Sequence, residues 1–181
     1  EITATGIGAH ASTPDVGNNA LTGLLVFLGK LDFASCPQVD MVRKTASLFP
    51  HGDVNGKTLG VAMEDELSGN LTLSFNMLSV DAASMDGEFD GRIPVCGNDE
   101  NVLEVVRARM AEQGLTLLNK ALIPPHHVSA DSYFVKTLLA AFELYTGRKG
   151  ECQALGGGTY VHHLENGVAF GAAMPETDNK M

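Results

Sequence analysis

The spacing of apolar residues changes along the chain, and each change predicts an element. Residues 1–9 alternate, with Ile2 and Ala4 set between polar neighbours, which predicts a strand. Pro14-Asp15 predicts a turn. Leu21, Leu24, Leu25 and Leu28 then recur at helical spacing, so a helix is expected from about Ala20 to Leu31, capped by Asn18 or Asn19. Pro37 is expected to break the next segment. Met41 to Phe49 reads as a short helix ended by Pro50-His51-Gly52. Residues 70–80, NLTLSFNMLSV, and residues 86–95, DGEFDGRIPV, read as strands, the second ending at Pro94. Glu100 to Gln113 predicts a helix with Val102, Val105, Val106 and Met110 inward and Gly114 as its stop. Leu115 to Ile123 reads as a final strand.

The principal order is strand, helix, strand, strand, helix, strand. That predicts an α+β fold: an antiparallel sheet with helices on one face, in a split βαβ-like arrangement. Pro124-Pro125-His126-His127 reads as a linker, so a domain boundary is expected near Pro125, separating residues 1–124 from 125–181. Beyond it, Ser132 to Tyr145 predicts an apolar helix ending at Gly147, with Asp131-Ser132 as its N-cap. A glycine triplet follows, and NGVAFGAA has the pattern of a buried strand with small residues, so this tail differs in style from what precedes it.

Composition narrows the classes. Apolar residues make up 44% and charged residues 19%, which suits a packed core and argues against disorder. The net charge of −10 argues against a nucleic-acid partner, whose phosphates it would repel. No apolar run approaches the ~18 residues of a membrane span. Cys36, Cys96 and Cys152 are scattered without CxxC spacing and read as reduced thiols, which predicts a cytoplasmic protein. Glu1 lies inside an alternating pattern and Met181 follows the turn-like PETDNK, so both ends read as cut from something larger.

Three short stretches carry candidate chemistry. His10 sits in GIGAHASTPDVGNNA among small residues at a strand–helix junction. It reads either as a histidine satisfied by a local turn or as a polarising donor that a substrate approaches closely. Arg92, in FDGRIP, offers a planar fork that suits a carboxylate, or else it pairs with Asp90 or Glu88. Gly156-Gly157-Gly158-Thr159 reads either as a plain turn or as converging backbone N–H groups for an anion; its spacing fits neither a phosphate loop nor a dinucleotide site. The pairs His126-His127 and His162-His163 are adjacent, and neighbouring side chains diverge, so no complete metal site is expected in this chain.

GIGAHASTPDVGNNA, FDGRIP and LGGGTY with NGVAFGAAMPE, taken in that order, resemble the zinc exopeptidases of metallopeptidase family M-twenty. That family includes aminoacylases and carboxypeptidase-G-like enzymes, and the nearest branch is the bacterial PepV-type dipeptidases. The resemblance runs through essentially the whole chain. It implies a catalytic α/β domain holding two zinc ions and a smaller lid inserted into it. Residues 1 to about 124 then resemble the second half of the lid, and residues from about 125 the return into the catalytic domain. His10 matches a lid histidine that stabilises the oxyanion. Arg92 matches a lid arginine that grips the substrate's free carboxylate. Gly157, Gly158 and Thr159 match a glycine loop that hydrogen-bonds the substrate. The zinc ligands are expected outside this chain, one of them just past Met181. Where the family pattern has an aliphatic residue before the arginine, Gly91 stands here.

The resemblance thus implies a cytoplasmic zinc dipeptidase acting on small peptides with a free C-terminus, the chain alone being inactive. A deacylase of N-acyl amino acids on the same scaffold and a non-catalytic dimerisation module remain open alternatives. The partner expected for the latter is a second copy, paired through the exposed sheet edge.

Overall fold

A computed structural model describes residues 1–171 of the chain. The expected turn at PETDNK and the end of NGVAFGAAMPE lie outside the described residues. The chain divides into two compact units, Glu1–Pro124 and a second that opens at Pro125. Together they are α+β, with α-helices and two small antiparallel sheets.

In the first unit α1 spans Ala20–Gly29 and α2 spans Pro37–Leu48. Asn19 caps α1: its Oδ1 accepts from Thr22 N, while its Nδ2 donates to Phe75 O at 2.8 Å. One asparagine thus starts the helix and ties it to the sheet. Pro37 does not break a segment, as expected, but opens α2. At the first helical position its missing N–H forfeits no bond and its fixed φ suits the turn.

Strands β1 (Glu64–Asp65) and β2 (Gly69–Asn70) form a minimal hairpin. Strands β3 (Thr72–Val80) and β4 (Met85–Arg92) form the longer one, with Thr72 facing Arg92, Phe75 facing Phe89 and a register irregularity between Phe75 and Met77. Leu71, Leu73 and Phe75 point inward at period two and are buried. Phe49 stacks on Phe75 with ring centroids 4.5 Å apart and touches Phe89 at 5.3 Å. Leu25, Leu48, Leu59, Val61, Val102, Leu103 and Val106 complete the core. The Asn98 side chain caps a wide turn, Asp99–Leu103, that runs into α3 (Glu104–Glu112), and Gly114 takes the positive φ that stops it.

Two expected strands of this unit are absent. Residues 1–9 make one isolated bridge, between Ile7 and Asn18. Leu115 to Ile123 has no ladder partner among the described residues. Side chains hold it instead: Arg107 donates to Leu117 O and Asn119 O, and Asp99 Oδ1 accepts from Leu122 N. Alternation describes a half-buried extended segment, but a strand also needs a neighbour to bond.

In the second unit α4 runs over Tyr133–Thr146, capped by Ser132 and ended by Gly147 in the left-handed conformation. Asp131 pairs with Lys136 rather than capping. The described part of NGVAFGAA is not a strand; Phe170 is exposed there. His126 Nε2 donates to Gly167 O at 2.7 Å and fixes that return instead.

Asp65 knits the first unit together. Its carboxylate accepts from the N–H groups of Leu67, Ser68 and Cys96 and from the Ser68 hydroxyl. These bonds, led by that from Ser68 N, hold its pKa down to about 2 from an ordinary 3.8. A carboxyl depressed in the folded state contributes stability above its unfolded pKa, and that contribution disappears as pH falls from about 4 toward about 2. Asp65→Asn should therefore lower the urea midpoint at pH 6 and flatten its fall between pH 4 and 2. Parallel midpoint-versus-pH curves for the two proteins would contradict this.

Candidate functional site

The close approach of two backbones sets His10 in place. Ile7 N donates to Asn18 O at 2.9 Å, and Asn18 N donates to Ile7 O at 2.8 Å. This pairing leaves no room for side chains. A Cβ on Gly6 would collide with Asn18 O, and one on Gly17 would lie 2.7 Å from Ala9 Cβ and 2.8 Å from Ile7 O. Part of the small-residue run is thus a packing requirement. Gly8 is different, since a Cβ there would meet nothing within 4 Å.

Beyond the bridge the chain turns, with Thr13 N donating to His10 O at 2.9 Å. His10 is exposed. Its Nδ1 lies 2.7 Å from Ser12 Oγ and accepts from Ser12 N at 3.2 Å. Both satisfy the ring locally, and both leave Nε2 free of a partner within the turn.

Arg92 ends β4. Its Nη2 donates to Asp90 Oδ2 at 2.8 Å, with the two side chains 32% and 35% exposed. Its Nε is buried and finds no acceptor. Gly91 is not demanded by space: a Cβ there would make ordinary contacts, 3.5 Å from Ile93 and 3.9 Å from Thr72 O. Nothing in the structure explains the glycine.

Thr72 links these two candidates. It is the ladder partner of Arg92. Its Oγ1 also donates to Ala11 O at 2.7 Å, one residue beyond His10. The His10 turn is therefore fastened to the strand position beside Arg92, and both lie at one end of the β3–β4 hairpin. Sequence reasoning did not single out Thr72 or Ser12.

A cleft of about 630 Å³ also lies in this unit, with Gly6, Asn19, His51 and Asp53 among its lining residues. Neither His10 nor Arg92 lines it. His51 Nδ1 is 2.9 Å from the buried Thr22 hydroxyl, which gives that histidine a structural partner.

In the second unit Gly157, Gly158 and Thr159 are exposed. Thr159 precedes a short helical turn, Tyr160–His163, without capping it through its side chain. A Cβ on Gly157 or Gly158 would meet nothing within 4 Å, and neither has the positive φ seen at Gly114 and Gly147. Nothing among the described residues of the unit requires glycine at these two positions. The rings of His126 and His162 stand 5.7 Å apart, as do those of His162 and His163. Among the described residues no group of three or more His, Cys, Asp or Glu side chains converges in a way that would hold a metal ion. None of their helices is long and apolar enough to cross a membrane.

No family model matches the chain. It is similar along nearly its whole length to bacterial proteins named as dipeptidases. With the beta-Ala-Xaa dipeptidase of Lactobacillus delbrueckii subsp. lactis it shares 34% identity over 173 residues, covering 95% of this chain and 36% of that protein. With the Bacillus subtilis (strain 168) protein named putative dipeptidase YtjP it shares 37% over 175 residues, covering 94% and 36%. The chain thus spans about a third of the length of these relatives.

If the bridge at Ile7 sets the His10 turn, filling the space at Gly17 should disturb it. Gly17→Ala should destabilise the first unit by roughly 1–3 kcal/mol, the usual cost of overpacking. It should also shift the His10 ring resonances, while Gly8→Ala leaves them in place. Unchanged resonances in Gly17→Ala would show that the turn is set elsewhere.

Proposed function

We propose that this chain is part of a dipeptidase that hydrolyses short peptides with a free C-terminal carboxylate. In this reading His10 donates to the developing oxyanion, Arg92 binds the terminal carboxylate, and Gly157, Gly158 and Thr159 offer backbone and hydroxyl donors to the substrate. One observation carries the reading. The Thr72 bond and the β3–β4 register bring an exposed imidazole and an arginine fork to the same end of one hairpin. The dipeptidase names of the similar proteins support the reaction class.

The chemistry asks for two things that these groups provide. Amide hydrolysis passes through a tetrahedral intermediate whose oxygen carries negative charge, and a preorganised donor aimed at it lowers the barrier by roughly 3–4 kcal/mol. A planar guanidinium binds a carboxylate with two parallel hydrogen bonds, which selects a chain end over a mid-chain peptide. Arg92 retains donor capacity, since Asp90 engages Nη2 alone among the contacts at its fork. The unexplained openness around Gly157 and Gly158 suits a backbone that a ligand must approach closely.

Zinc is part of the proposal for the whole protein only. The described residues do not fit a zinc centre, and the ligands are proposed to lie outside them. A cytoplasmic location is likewise proposed.

His10→Ala in the full-length protein should lower kcat on dipeptides by roughly 100-fold or more while metal content stays the same. An unchanged kcat would remove the imidazole from the reaction. Arg92→Ala should chiefly raise KM for dipeptides, and this effect should vanish for substrates whose terminal carboxylate is amidated. An equal loss on amidated substrates would refute the carboxylate role.

A further inference from the structure

The imidazole of His10 is held by one neighbour twice. A backbone N–H can only donate, so the 3.2 Å contact from Ser12 N makes Nδ1 an acceptor. The 2.7 Å contact to Ser12 Oγ is then a hydroxyl donating to the same nitrogen. A neutral imidazole carries one proton, and with Nδ1 accepting, that proton sits on Nε2. The ring therefore presents an N–H away from the turn, which is the form an oxyanion donor needs. The opposite tautomer would set Nδ1–H against Ser12 N–H and turn a lone pair outward.

We propose that Ser12 is a positioning residue that holds His10 in its Nε2–H form. The claim about the tautomer stands on the turn itself; its catalytic consequence rests on the oxyanion role proposed for His10. A second contact makes the device rigid. The Ala11 carbonyl, between the two residues, accepts from Thr72 Oγ1 at 2.7 Å and pins the turn to β3. The hydroxyl can donate or accept, so the backbone N–H, which Ser12→Ala keeps, decides the tautomer, while the hydroxyl contact holds the ring in its orientation.

Two measurements test this. The first needs no activity. In this chain labelled with ¹⁵N at histidine, neutral His10 should show a protonated Nε2 and an unprotonated Nδ1. Ser12→Ala keeps the backbone N–H and should leave this nitrogen pattern in place, but it should average the His10 side-chain couplings as the ring loses its hydroxyl contact, and Ser12→Thr should restore them. A mixed tautomer signature in the unsubstituted chain or in Ser12→Ala, or His10 couplings unchanged in Ser12→Ala, would overturn the proposal. The second uses the full-length protein. Ser12→Ala should lower kcat roughly three- to tenfold with KM within about twofold, and Ser12→Thr should recover most of the loss. Added to His10→Ala, the Ser12→Ala change should cost nothing further, because its effect passes through the ring. A further drop in the double variant would mean that Ser12 acts by another route. If His10→Ala itself leaves kcat unchanged, the oxyanion reading fails, and the nitrogen shifts still decide whether Ser12 sets the tautomer.

Discussion

The antiparallel pairing of β3 with β4 is the constraint on which the first unit depends. Strand side chains alternate, so a slip of one residue would carry every inward group to the solvent face. Leu73 and Phe75 would leave the core, and Phe49 would lose its stack on Phe75 and its contact with Phe89. The buried aromatics therefore fix the register, and the register fixes which residue faces Thr72. That residue is Arg92. Thr72 in turn fastens the His10 turn through the Ala11 carbonyl. The spacing between imidazole and guanidinium is thus set by core packing several residues away.

The helices were legible because their signals are local. Leucine spacing marked α1, valine spacing marked α3, and Asn19, Ser132, Gly114 and Gly147 fixed ends within a turn of where the pattern placed them. Pro37 was misread because proline interrupts most segments but opens a helix at its first position. Strands were legible only where a partner lay nearby in sequence. The turn at Asp81–Ser84 joins β3 to β4, and Asp81 closes it by accepting from Ala83 N and Ser84 N. Residues 1–9 alternate and 115–123 are rich in leucine, yet no local pattern reveals whether a partner exists.

The candidate residues were visible as residue types, whereas their arrangement was not. A histidine among small residues and an arginine before Ile93-Pro94 stand out in any reading. Thr72 reads as one more β-branched strand residue, and its bond to Ala11 spans 61 positions, beyond the reach of any local pattern. Ser12 was within reach, two residues from His10, but a serine two residues before a turn proline usually signals only the turn. The small residues around His10 also divide in a way composition hides. Gly6 and Gly17 are required by the close approach of two backbones, while Gly8 faces open space.

Pairing between Arg92 and Asp90 does not oppose a ligand-binding role for the arginine. Both side chains are about one-third exposed, so solvent screens their attraction, and pairs of that kind contribute on the order of 0–1 kcal/mol. So weak a tie orients the fork more than it occupies it. The buried Nε is a different matter. A donor without an acceptor costs roughly 1–3 kcal/mol, which exceeds what the exposed pair returns. The local fold is therefore not optimised around this side chain as a structural element. In a chain of net charge −10, whose field repels anions in general, any carboxylate bound at this end of the hairpin would need such a fixed cation at close range.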